Sequence, residues 1–163
     1  MAEILTAWIG NKAFLRKPSG KILLGCDSGN AKGHEKVKGY WGVPGGRMDV
    51  GEVDIFAALA RELKEEAGFE LGDIEPQLLA SNLITRHDGK HLLLQYYVVD
   101  VSEDFEAKIS EEHSELAWAD PYTALTTMNV FDALKGPLKK LCNLMDLEKL
   151  NSTPVSKDEP VLG

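Results

Sequence analysis

The sequence predicts an α/β domain built on a mixed β-sheet, and three observations carry that expectation. The first forty residues hold short β-like runs, Ile4–Ile9, Ala13–Arg16 and Lys21–Cys26. One amphipathic helix then interrupts the strands, and two longer strands joined at Asp88-Gly89 follow it. A second stretch with helical spacing, Val130–Met145, comes last. Strands, one inserted helix, more strands and a terminal helix form a layout without regular βαβ alternation.

At 163 residues the chain reads as one domain, residues 1–150, followed by a polar tail, 151–163. A formal net charge of −8 argues against a general nucleic-acid binder, whose backbone-tracking surface is basic. An acidic protein can still take a phosphorylated small molecule when a divalent cation bridges the two sets of negative charge. Cys26 and Cys142 stand far apart and belong to no CxxC pair, so neither a disulfide framework nor a zinc site is expected. MAEILTAWIG lacks a basic start and a long apolar run, and no stretch reaches transmembrane length. A cytoplasmic protein without a membrane partner is the expectation, and a homodimer is left open.

Each element has its local reason. Pro18-Ser19-Gly20 is a turn between the β-like runs. Asp27–Gly39 is a long polar loop with Lys32, His34, Lys36 and Lys38 close together. Most such clusters are solvated, yet loops of this length are also where ligand contacts sit. Trp41-Gly42-Val43-Pro44-Gly45-Gly46 reads as one short strand running into a tight turn. Asp54 can cap a helix over Ile55–Ala67 with Gly68 at C′, and Phe56, Leu59, Ala60, Leu63 and Ala67 give it an apolar face. Gln77–Thr85 and His91–Val101 read as a hairpin. Ser102–His113 is an acidic loop, Glu115–Ala119 a short strand and Pro121–Leu125 a helical turn. The tail from Asn151 has no apolar period and is expected to be loosely held. His34, His87, His91 and His113 show no metal-ligand spacing.

The inserted helix raises the chemical question. At about 100° per residue, Glu62, Glu65 and Glu66 fall within an arc of about 100°. They repel one another and lie toward the helix C-terminal half, where the macrodipole disfavours negative charge. A cation reverses both penalties, and hard oxygen donors suit Mg²⁺, with Mn²⁺ as a substitute. Taken alone, an acidic cluster on a helix is usually a solvated face. The glycines of WGVPGG alter the balance, because they let backbone approach closely and offer a carbonyl to the same place.

The run G-x5-E-x8-R-E-L-x-E-E-x-G-F, from Gly46 to Phe69, resembles the signature of the Nudix hydrolases. Gly46, Glu52, Arg61, Glu62, Leu63, Glu65, Glu66 and Gly68 match it, and Phe69 stands for a bulky aliphatic residue. Val53–Ala60 is one residue longer than the family spacing, and absorption of the extra residue before Asp54 would keep the Glu52–Arg61 pair. The resemblance implies a Nudix α/β/α sandwich with a mixed β-sheet. It also implies water attack on phosphorus in a diphosphate linkage. By that resemblance Glu62 and Glu66 are direct metal ligands, Glu65 is a ligand or proton acceptor, and the Gly45 carbonyl is a further ligand. Arg61 orients the carboxylates, while Gly46, Glu52 and Gly68 are structural. A loop carboxylate ahead of Trp118 is expected as metal ligand or general base; Glu112 is the candidate, with Glu111 and Glu115 as rivals.

The substrate is less legible. Lys32, Lys36 and Lys38 are candidates for phosphate contact. Trp41 is a candidate for stacking a base, as are Tyr96 or Tyr97, although aromatic residues in a small sandwich are more often core. Asn129 resembles the base-reading asparagine of MutT-type enzymes. A (d)NTP in the MutT manner, a nucleotide sugar, ADP-ribose or a dinucleoside polyphosphate all stay open. So does a non-catalytic nucleotide-sensing module.

Overall fold

The computed structural model describes residues 2–152. A seven-stranded sheet runs through the molecule in the order β3-β2-β1-β6-β5, with β4 on β1 and β7 on β2. These strands are β1 (Trp8–Arg16), β2 (Ile22–Asp27), β3 (Trp41–Gly42), β4 (Gly45–Arg47), β5 (Gln77–Thr85), β6 (His91–Asp100) and β7 (His113–Ala119). The central β1 and β6 run parallel from Trp8 opposite Leu92 to Arg16 opposite Asp100. Every other named pairing is antiparallel, so the sheet is mixed. The second edge of β1 is shared, β4 taking Gly10–Lys12 and β2 taking Arg16.

Side-chain alternation along β1 splits the core in two. Ala13 and Leu15 face α1 (Ile55–Ala67), where Leu59, Leu63, Tyr97 and Val99 are buried with them. Phe14 faces the opposite layer, α2 (Pro121–Thr127) and α3 (Asp132–Ser152), packing with Ile22, Leu24, Tyr96, Leu138 and Leu141. Each fully buried leucine contributes about 2 kcal/mol of transfer free energy, so both helical layers are firmly held. The result is an α/β/α sandwich.

Several sequence expectations change. The first strand begins at Trp8 rather than Ile4, and Ile4 and Leu5 are exposed. It runs unbroken through Gly10-Asn11-Lys12, because β6 and β4 pair with that polar segment from both sides. WGVPGG is two strands: β3 pairs with β2, β4 pairs with β1, and Pro44 between them offers its carbonyl to the Ala13 N–H. Phe56 is 40% exposed at the rim of α1, edge-on to Tyr97 at 5.7 Å, and Ala58 takes the buried place. Tyr96 and Tyr97 belong to the core, which removes them as stacking residues. The terminal helix continues to Ser152, so Asn151 and Ser152 are helical. The rest of the expected tail lies outside the described residues. Among those described, no helix is long and apolar enough to cross a membrane.

Candidate active site

The carboxylates are aimed by the ends of α1. The Asp54 side chain accepts hydrogen bonds from the Phe56 and Ala57 N–H groups, and Gly68 closes the helix in the left-handed conformation at φ 67°. With Leu59, Leu63 and Ala67 turned into the core, Glu62 and Glu66 meet the corner formed by β1 and β4, while Glu65 is exposed and paired with Arg61.

Two glycines let that corner close. A Cβ on Gly45 would stand 2.1 Å from the Asn11 carbonyl oxygen, and Gly45 itself has φ 137°. A Cβ on Gly46 would lie 2.7 Å from the Glu62 carboxyl carbon. Backbone therefore meets carboxylate directly: the Gly45 N–H donates to Glu66 Oε2 at 2.8 Å. Lys12, half-buried on β1, donates its ammonium to the Gly45 carbonyl at 3.2 Å.

Burial pushes the Glu66 carboxyl up to about 7. The charges of Glu62 and Glu112 push the same way, against Lys12 and the Gly45 N–H. Burial also raises Glu62, with Arg61 and Lys12 opposing. The influence of Glu112 on Glu66 brings the loop before β7 to this corner. That loop is tied to the root of the lysine loop, where Ser28 N–H donates to the Glu112 carbonyl at 2.9 Å and Ser28 Oγ donates to the Glu111 and Glu112 carbonyls.

Arg61 gathers the remaining acids. Its Nε and Nη2 donate to the two oxygens of Glu52 at 3.1 and 2.8 Å. Nη1 lies 3.2 Å from Glu62 and 3.3 Å from Glu65, while Nη2 lies 3.5 Å from Asp49. The Glu52–Arg61 pair is thus formed despite the longer spacing. The turn ahead of the helix absorbs the extra residue: Gly51 has φ 97°, and Val50 and Val53 are fully exposed.

The lysine loop carries a single 3-10 turn at Glu35–Val37 and leaves Lys32, Lys36 and Lys38 exposed. Trp41 and Asn129, remote in sequence, are neighbours; the Trp41 N–H donates to the Asn129 carbonyl at 2.9 Å. Trp41 is half-buried against the α3 side of the core, and Asn129 is exposed.

Sequence reasoning missed Lys12 and Asn11. Asn11 is 1% exposed, and both its amide atoms lack a hydrogen-bond partner. It pairs with Gly46, so its side chain shares the face on which Glu62 lies. The available signal was the alternation through Ala13 and Leu15, which puts Asn11 on the α1 face.

The donors at this corner are hard oxygens crowded by like charge, Glu62 and Glu66 are desolvated as well, and a hard divalent cation relieves both stresses. The donor set fits such an ion. Among the described residues no three Asp, Glu, His or Cys side chains already enclose a metal position; Arg61 and the Gly45 N–H hold the carboxylates instead.

The family model described as the NUDIX domain matches residues 11–136. The chain belongs to the Nudix family. Nucleoside triphosphatase NudI of Escherichia coli (strain K12) is 36% identical over 90 residues, which cover 51% of this Nudix chain and 63% of the relative. The match thus spans less than two thirds of that relative's length. A solved MutT protein from Methanosarcina mazei Go1 superposes with a TM-score of 0.71 at 20% identity, covering 93% of this chain and all of that one. The Nudix domain of Shewanella oneidensis NrtR, solved with ADP ribose, superposes at 0.65 and 20% identity, covering 87% and 90% of the two chains. These structural likenesses establish the Nudix fold.

Proposed function

We propose that the protein is a Mg²⁺-dependent hydrolase that cleaves a diphosphate linkage in a nucleotide by water attack at phosphorus. The observation that carries this reading is the contact of the Gly45-Gly46 backbone with the Glu62 and Glu66 carboxylates. Glu62, Glu66 and the Gly45 carbonyl would hold the cation, with Glu65 beside them. When bound, the cation neutralises phosphate charge and lowers the pKa of its water. Glu112, exposed and near enough for its charge to act on Glu66, would accept the proton of the attacking water. Arg61 is a positioning residue, fixing Glu62 and Glu65 on one side and bracing the turn through Glu52 on the other. Lys12, which donates to the Gly45 carbonyl at 3.2 Å, would be placed to meet a substrate phosphate at the same corner. Trp41 and Asn129, being adjacent, offer one wall for the base.

The substrate favoured is a nucleoside triphosphate, supported by the likeness to NudI across the residues that the two share. Phosphate and pyrophosphate release measured over nucleoside triphosphates, nucleotide sugars and dinucleotides, with and without Mg²⁺, tests the proposal. Hydrolysis that needs Mg²⁺ and is fastest on triphosphates is expected. No Mg²⁺-stimulated release from any of them would leave a nucleotide-sensing module instead.

A further inference from the structure

We propose that Trp8, Arg47, Arg86 and Lys90 form a second anion-binding subsite, which takes a phosphate at the far end of a nucleotide whose diphosphate sits at Gly45. The inference rests on the nucleotide-hydrolase reading and adds a class of substrate to it: nucleotides with a further phosphate remote from the cleaved linkage.

The half-buried Trp8 ring has three cations against it. Arg47 Cζ lies 4.8 Å from the ring centroid, Arg86 Cζ 5.0 Å and Lys90 Nζ 4.7 Å. Each contact is weakly attractive. The cations lie within about 10 Å of one another, so their mutual repulsion offsets part of that attraction. Asp88, 3.5 Å from Arg86 Nη2, is the only carboxylate paired with any of the three among the described residues. An open cavity of about 400 Å³ adjoins the ring, lined by Thr6, Ala7, Trp8, Gly89, Lys90 and His91.

The patch is aligned with the catalytic corner. Trp8, Gly10 and Lys12 alternate onto one face of β1, so Trp8 stands about 13 Å along the strand from the residue that holds Gly45. That is roughly the length of an extended nucleotide. Arg47 opposes Gly10 and follows directly on Gly46, so cationic groups run from Lys12 toward Lys90. Leu92 and Leu94, against the bare Gly10, form an apolar floor between the two ends. In a chain of net charge −8, this track favours a ligand with negative charge at both ends and an uncharged middle.

Isothermal titration of the metal-free protein in EDTA and low salt tests the subsite with three pairs of probes. They are ADP-ribose and its 2′-phosphate, dephospho-coenzyme A and coenzyme A, and NADH and NADPH. The phosphorylated member of at least one pair is expected to bind about tenfold tighter. Arg47→Ala with Lys90→Ala brings that ratio to about one, and Lys90→Gln alone serves if the double variant melts early. A ratio near one in the unaltered protein, a ratio that survives both variants, or no binding by any phosphorylated probe overturns the proposal. Mg²⁺-dependent hydrolysis of the same probes separates the two readings. A retained binding ratio without Mg²⁺-dependent hydrolysis of these probes or of nucleoside triphosphates removes the enzyme and leaves the subsite, whereas hydrolysis without a ratio does the reverse.

Discussion

At Glu66, burial lifts the carboxyl to about 7 while the Gly45 N–H and Lys12 pull it back toward ionisation. Because this folded value lies above the ordinary 4.5, the group contributes stability that is full below about pH 4.5 and lost as pH rises through about 7. Metal-free protein is therefore expected to melt progressively lower between pH 5 and pH 8. Glu66→Gln keeps an acceptor for the Gly45 N–H and removes the charge, so it should flatten that decline and raise the metal-free Tm at pH 8 by about 5 °C. Under saturating Mg²⁺ the same variant is expected to lose at least about a hundredfold in kcat. Melting curves across pH and steady-state kinetics check the two halves separately. A near-normal kcat would remove Glu66 from the metal site, and an unaltered pH slope would show that its burial does not govern metal-free stability. Asn11 poses a related case, a buried amide with no partner on the Glu62 face. Replacing an unsatisfied amide by an apolar group of similar shape is near neutral or stabilising, so Asn11→Leu should hold or raise the metal-free Tm.

The docking of β4 between β1 and α1 depends on Gly45, where an added Cβ meets backbone at 2.1 Å rather than a side chain that can turn aside. Gly45→Ala is expected to lower unfolding free energy by more than about 2 kcal/mol. Gly51→Ala is the control: its φ of 97° is strained as well, but nothing lies within 4 Å of the added carbon, so about 1 kcal/mol is expected. Equal effects in urea denaturation would mean that backbone conformation, and not the close approach of β4 to β1, sets the demand for glycine. The same elements mark what a sequence can reveal. The bounds of α1 were legible because its cap, its closing glycine and its apolar period all act locally. The middle of β1 was not, since Gly10-Asn11-Lys12 is a strand only through partners at Gly45–Arg47 and Leu94–Tyr96. Lys12 was hidden for that reason. The setting of Glu111 and Glu112 was hidden too, because hydrogen bonds from Ser28, remote in sequence, fix their backbone.

Across the whole molecule, a net charge of −8 opposes a polyanionic ligand, and cations must be concentrated where it binds. A divalent ion is the first such source. Binding to the folded state alone adds about 2.7 kcal/mol at a hundredfold excess over Kd, so Mg²⁺ should raise Tm by about 5–10 °C. Indifference to Mg²⁺ and Mn²⁺ after EDTA treatment would reduce the carboxylate arc to a solvated face. The lysine loop is the second source we propose. Lys32, Lys36 and Lys38 are exposed, and the root of their loop is hydrogen-bonded to the segment that carries Glu112. Each exposed ammonium acts as a screened point charge, and together they should add about 1–2 kcal/mol to substrate binding. Replacing all three by alanine is expected to raise KM about tenfold at low ionic strength, with kcat altered much less. The difference should shrink as salt approaches about 1 M, where the Debye length falls to about 3 Å. A KM unmoved at low salt would confine the cluster to solvation, and a large fall in kcat would show that the loop shapes the Glu112 segment rather than meeting phosphate.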